Sequence, residues 1–211
     1  MARFCRVARE PNGWGDRRRR RVGLLGGSFN PAHAGHRHIS LLALRALALD
    51  EVWWLVSPQN PLKPRLGMAP FSRRLARAQL TARHPAIRVT GIEAQLGTQF
   101  TADTVHRLVG RFPATRFVWL MGADNLQQMP EWDRWITIFH RVGVAVFDRS
   151  PYSYKALAGK VARRLAGARI HGRQSVRLAA LRPPRWCFIH SPCHPASATI
   201  IRQQSNDYGR W

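Results

Sequence analysis

The chain is short of lysine, of acidic residues, of cysteine and of long apolar runs, and each shortage excludes something. Lys63, Lys155 and Lys160 are the only lysines, and Asp plus Glu number 11 against 34 Lys plus Arg. The formal charge of +23 is therefore an arginine charge. Cys5, Cys187 and Cys193 are too few for a disulfide framework, which points to a reducing compartment, the cytoplasm. Cys193-His194, with His190 nearby, matches no standard zinc spacing. No apolar stretch reaches the roughly 18–20 residues that cross a bilayer. The first residues lack the apolar core of a secretory signal. No membrane partner is expected.

What is present suits one globular domain: 211 residues, 45% of them hydrophobic. The arginines are spread along the chain rather than gathered in one stripe. They read as a solvated surface around a site for a small anionic substrate, with no dedicated nucleic-acid partner. A basic nucleic-acid-binding protein is the competing reading. Residues 1–20 are Arg-rich, with Pro11, Gly13, Gly15 and the self-repelling run 17–21. They read as a flexible tail ahead of a domain spanning residues 21–211.

Within that domain, strand and helix patterns alternate. Residues 22–25 form a short apolar run bounded by glycines, as in a buried parallel strand. Residues 36–49 carry helical apolar spacing, and residues 52–56 read as the next strand. Residues 59–70 hold three prolines and a glycine, the composition of a loop. Further helices are predicted at 71–83, 101–111 and 132–140, with strands at 87–90, 116–121, 142–147 and 186–190. A single helix over 154–166 and one starting near Ser197 complete the pattern. This alternation predicts an α/β fold: one Rossmann-like, doubly wound parallel sheet with helices on both faces. Such sheets bind ligands beyond the carboxyl ends of their strands, where the loops at Gly26, Ser57 and Gly122 should converge.

The first of these loops reads Gly26-Gly27-Ser28-Phe29-Asn30-Pro31-Ala32-His33-Ala34-Gly35-His36. Gly26 and Gly27 let backbone approach a phosphate. The helix start near Gly35 turns free N–H groups towards it. His33 and His36 stand beside the same helix start. Each can donate a hydrogen bond to phosphate oxygens and, if protonated, add charge where a transition state gains it. The loop is neither a Walker A sequence nor a G-x-G-x-x-G fingerprint. His33, His36 and His38 have no adjacent Cys, Asp or Glu to complete a metal site, so no protein metal site is expected. Near the other end of the chain, Ser197-Ala198-Thr199-Ile200-Ile201-Arg202 combines two hydroxyls and a guanidinium at a predicted helix start, which suits either a capped helix or a second phosphate grip.

These two segments resemble the H-x-G-H and S-x-T-x-x-R signatures of the nucleotidylyltransferase superfamily. The fuller loop is similar to that of the nicotinate-nucleotide adenylyltransferases and the pantetheine-phosphate enzymes, with Asn30 where many relatives have Asp. Gly122-Ala123-Asp124 looks like the G-x-D of the nicotinate-nucleotide family. Phe100-Thr101-Ala102-Asp103-Thr104 is similar to its Y-T-x-x-T, and the segment from Ser57 to Lys63 to its P-x-N-x-P loop. Trp132 matches an aromatic that stacks on the pyridine ring there; a buried core Trp is the alternative. The resemblance runs from about Arg21 to Arg202.

It implies adenylyl transfer from ATP to nicotinate mononucleotide, a step of NAD biosynthesis. The implied catalytic residues are His33, His36 and Arg202. Gly26, Gly27, Ser28, Phe29, Gly35, Ser197 and Thr199 would bind ATP, and Lys63, Thr101, Asp124 and Trp132 the acceptor. Mg²⁺ is expected with ATP. Nicotinamide mononucleotide and phosphopantetheine stay open as acceptors, and so does a homo-oligomeric state.

Overall fold

The computed structural model describes residues 10–58, 67–192, 194–196 and 198–204. Seven strands form one sheet in which each neighbouring pair runs parallel. In chain order the elements are β1 (Arg20–Gly27), α1 (Ala34–Ala46), β2 (Glu51–Val56), α2 (Phe71–Ala82), β3 (Ile87–Thr90), α3 (Ile92–Leu96), α4 (Thr101–Arg111) and β4 (Thr115–Gly122). They continue with α5 (Ala123–Gln128), α6 (Trp135–Arg141), β5 (Gly143–Phe147), α7 (Ser153–Leu157), α8 (Lys160–Arg164), β6 (Arg169–Ile170), β7 (Trp186–Ile189) and α9 (Ala198–Gln204). The strand order is β3-β2-β1-β4-β5-β7-β6. The chain winds outward from β1 in one direction and then restarts at β4 in the other. The gap between β1 and β4 is thus the switch point where such sheets hold ligands.

A parallel sheet covered on both faces needs strands that are apolar throughout, and β2 shows it. Trp53 and Trp54 are adjacent and fully buried, one on each face, because successive side chains alternate. Trp53 joins Phe112 and Phe117 in edge-on ring contacts of 5.2 and 5.6 Å. Trp54 lies on the opposite face with Leu47, Ala78 and Val118. At the amino ends of the strands, Glu51 accepts hydrogen bonds from Arg20, Arg88 and the Trp53 indole, so two of the many arginines serve the frame.

The predicted elements are present with shifted ends, and two segments differ from expectation. The single helix expected over 154–166 is broken into α7 and α8, because Ala158-Gly159 forms the turn and extended N-cap between them. The helix expected at 132–140 begins at Trp135, after a short 3₁₀ turn at Met129–Glu131. Elements not anticipated are α3, α5, the two-residue β6 and two 3₁₀ segments, Ala166–Ala168 and Gly172–Ala180. Arg20 already belongs to β1, and residues 10–19 lie along the domain: Arg111 donates to the Gly13 carbonyl and the Thr115 hydroxyl to that of Arg18. Residues 1–9 lie outside the described part. Among the described residues no helix is long and apolar enough to cross a membrane.

Candidate active site

The loop after β1 is closed from within. The N–H of Gly35 donates to His33 Nδ1 at 3.1 Å, and the N–H of His33 donates to His36 Nδ1 at 3.2 Å. The two histidines thereby form a reciprocal capping box on α1. An Nδ1 that accepts an amide hydrogen carries no proton, so Nε2–H is the remaining donor on each ring. The ring centroids are 3.9 Å apart. Burial first, then the charges of Arg149 and His194, hold the His33 imidazole down to about 4. At neutral pH it is uncharged. His33 therefore offers a hydrogen bond rather than a positive charge, because burial and the nearby Arg149 and His194 disfavour its charged form.

The rest of α1 is anchored beneath this turn. The Ser40 hydroxyl donates to the His36 carbonyl at 2.8 Å and accepts from the buried Trp54 indole at 2.7 Å. Phe29, read as part of the ATP site, turns its ring into the core, stacked 5.1 Å from Trp54. Its side chain therefore packs the loop down. Asn30 donates to the Gly67 carbonyl and accepts from Ala69 N–H, both at 3.1 Å. An Asp there could make only the second bond.

The far end of the chain reaches this loop. Arg202 donates through Nη1 to the Asn30 carbonyl, 172 residues away, and through Nη2 to Thr199 Oγ1 at 3.3 Å. At Gly35 a side chain would meet the Ala196 carbonyl at 3.1 Å, which leaves room for glycine. Ser197 lies outside the described residues.

On the other side of the switch point, Gly26 makes room for Trp119, since a Cβ there would stand 2.5 Å from the indole. Trp119 in turn meets the half-buried Trp132 edge-on, at 6.3 Å. The candidate acceptor aromatic is thus one ring removed from the phosphate loop. Thr101 opens α4, and an ion pair of 2.7 Å between Asp103 and Arg134 holds that helix start beside the Trp132 segment. Asp124 pairs with Arg149 at 2.9 Å through one oxygen; its other oxygen is buried without a hydrogen-bond partner. Lys63 lies outside the described residues.

Three charged residues of the site were not singled out from the sequence. Arg149 pairs with Asp124 and acts on His33. Arg74 is 2% exposed and spends its guanidinium on four carbonyls: Ala69, Ser28, Ser57 and Pro58, at 2.6–2.9 Å. It ties the phosphate loop to the start of the loop after β2. Its signal was available: Arg74 falls in helical register with the buried Ala78 and Ala82. The third is Glu93 on α3, a buried carboxyl that accepts from Thr104 Oγ1 at 3.2 Å and hydrogen-bonds the Ser57 side chain. Burial pushes it up to about 7 against the opposing effect of those bonds.

Imidazole, backbone and guanidinium donors set at the switch point of a doubly wound sheet are the equipment that a nucleotidyl-transferring protein needs. The cytidylyltransferase-like family model matches residues 24–204. Proteins from Parvibaculum lavamentivorans and Cereibacter sphaeroides, each named "Probable nicotinate-nucleotide adenylyltransferase", are 52% and 53% identical. The first alignment covers 87% of this chain and 92% of the relative, the second 90% and 98%. The Plasmodium falciparum nicotinic acid mononucleotide adenylyltransferase complexed with NaAD shares the fold, with a TM-score of 0.64 at 14% identity over 87% of this chain and 83% of that one. The chain belongs to the nicotinate-nucleotide adenylyltransferase family.

Proposed function

We propose that the chain transfers the adenylyl group of ATP to nicotinate mononucleotide in the cytoplasm, releasing pyrophosphate and forming deamido-NAD. The observation that carries the chemistry is the contact of Arg202 with the Asn30 carbonyl, 172 residues away in the loop that leads into the capped His33–His36 turn. An oxygen of the acceptor phosphate attacks the α-phosphorus of ATP. The new P–O bond forms as the bond to the β-phosphate bridging oxygen breaks, and pyrophosphate leaves. The enzyme's part is positioning and charge stabilisation. Nε2–H of His33 and His36 donate to the α- and β-phosphates, over backbone brought close at Gly26 and Gly27. Arg202, with Thr199 and Ser197, holds the β- and γ-phosphates. Because His33 is neutral, positive charge in the site falls to the guanidinium groups of Arg202 and Arg149.

On the acceptor side, Trp132 stacks on the pyridine, and Thr101 and Lys63 meet its polar groups. The open oxygen of Asp124 accepts a donor from the bound ligands. Among the described residues no group of three His, Cys, Asp or Glu could hold a metal. A Mg²⁺ ion would therefore enter with the triphosphate rather than be held by the described side chains. Bound there, it would neutralise phosphate charge.

The test is pyrophosphate release from ATP against nicotinate mononucleotide, nicotinamide mononucleotide and phosphopantetheine in turn. Release that depends on the first and is much weaker with the others is expected. Release driven chiefly by another acceptor would reassign the substrate. Silence with all three, together with tight, steeply salt-dependent polynucleotide binding, would favour the basic nucleic-acid-binding reading.

A further inference from the structure

A carboxylate is an expensive residue to bury, and Glu93 is 7% exposed on a helix of only five residues. Its neighbours Ile92 and Leu96 belong to the apolar core, as do Ala102 and Val105 of the adjoining helix. Among the described residues no ion pair compensates it. An aliphatic side chain would serve the core better, so the hydrogen bonds of Glu93 are what its position is built around.

Those bonds join three elements. Ser57, at the carboxyl end of β2, is the first residue of the segment that continues to Lys63, and its side chain bonds the Glu93 carboxyl. Thr104, fully buried in the first turn of α4, donates to Glu93 Oε1 at 3.2 Å, one turn from Thr101. Thr104 is held in turn by Thr98 Oγ1 at 2.9 Å, and Thr98 N–H closes the loop by donating to the Glu93 carbonyl at 3.1 Å. The Ser57 carbonyl, meanwhile, is fixed by Arg74 at 2.7 Å. Ser57 is therefore held from both ends, by a guanidinium on its backbone and a carboxyl on its side chain.

We infer that Glu93 is a positioning residue for the acceptor: it sets the distance between the start of the loop after β2 and the first turn of α4, the two segments that flank the pyridine nucleotide. This rests on the functional reading above. Glu93 touches neither substrate in this scheme and has no bond to the His33–His36 turn. Its loss should register on the acceptor and spare ATP.

The experiment is steady-state kinetics with both substrates varied, on the full chain and on Glu93→Ala, Glu93→Gln and Ser57→Ala. Glu93→Ala should raise the KM for nicotinate mononucleotide about tenfold, the size of a lost buried hydrogen-bond partner. In that variant kcat and the KM for ATP should stay within about twofold. Glu93→Gln, which keeps an oxygen for Thr104, should restore the acceptor KM to within about threefold of the wild type. Ser57→Ala, with only one bond removed, should raise it by about threefold.

An unmoved acceptor KM in Glu93→Ala overturns the inference. So does an equal rise for both substrates, a loss confined to kcat, or a Gln variant as impaired as the Ala variant. Thermal unfolding checks each variant. Should the Ala variant fail to fold, Ser57→Ala decides, and an unchanged acceptor KM in it counts against the role. The wild-type enzyme separates the two layers: no turnover with nicotinate mononucleotide overturns the functional reading. Wild-type turnover with an unmoved KM in the variants overturns only the role of Glu93.

Discussion

On the proposed phosphate side of the switch point, the candidate donors are backbone and imidazoles locked to backbone. His33 and His36 cap the helix they stand on, Ser40 and Trp54 pin that helix to the sheet, and Arg202 arrives from the chain's other end. On the proposed acceptor side, the candidate groups are single side chains carried by separate elements: Thr101 on α4, Asp124 on α5, Trp132 beyond a 3₁₀ turn. Two buried charged groups, Arg74 and Glu93, hold the adjoining loop starts in place. The difference suits the tasks. A triphosphate presents the same oxygens to every member of such a superfamily, and helix-end donors grip them without regard to what else is bound. An acceptor must be told from its analogues, which takes side chains whose placement can vary independently.

The comparison can be broken most severely at His36. Replacing it with Ala removes one Nε2–H donor and half of the capping box. We expect kcat to fall by about 10² or more, the usual cost of one electrostatic catalytic contact, with the acceptor KM little changed. Near-normal turnover would show that the imidazole is only a cap.

A smaller effect, of a different kind, is expected at Trp132. Trp132→Ala should raise the KM for the pyridine nucleotide by about tenfold, in line with the loss of an aromatic stack and its buried area. An unchanged KM with lowered thermal stability would return Trp132 to the core, as a partner of Trp119 and nothing more.

The smallest effect is on stability, and pH reveals it. Glu93 titrates near 7 when folded against an ordinary 4.5, so between those values the folded state holds the extra proton and stability falls as pH rises. His33 titrates near 4 when folded against 6.5, so there the unfolded state holds the extra proton and stability is lost as pH falls from 6.5 towards 4. The two effects oppose each other in the wild type. Glu93→Gln removes the first alone. The melting temperature of that variant relative to the wild type should therefore climb steadily from about pH 4.5 to about pH 7. A pH-independent difference would contradict the raised value.

Much of this was legible from residues alone, for reasons that differ by element. The strands β1, β2 and β4 announce themselves because a strand buried on both faces must be apolar throughout. The histidine turn was legible because its glycines and imidazoles are adjacent in sequence. The neutrality of His33 was not, since that depends on burial and on Arg149 and His194, which only the fold brings near. The break between α7 and α8 hid in a sequence with good helical spacing on both sides of Gly159. Glu93 sits in a five-residue helix too short to show a period, and its partners Ser57 and Thr104 come from two other elements. The burial of Arg74 could be read from its register with Ala78 and Ala82, but its four carbonyl partners could not, since carbonyls carry no sequence signature. Binding loops read well where the donors are consecutive and poorly where the fold assembles them.

The measurement that bears most directly on the central claim is the product itself. Purified enzyme, ATP, Mg²⁺ and nicotinate mononucleotide are incubated, and dinucleotide and pyrophosphate are quantified together. One deamido-NAD per pyrophosphate is the predicted result, lost when the acceptor is omitted. Pyrophosphate without dinucleotide, or equal yield when nicotinamide mononucleotide replaces the acid, would contradict it.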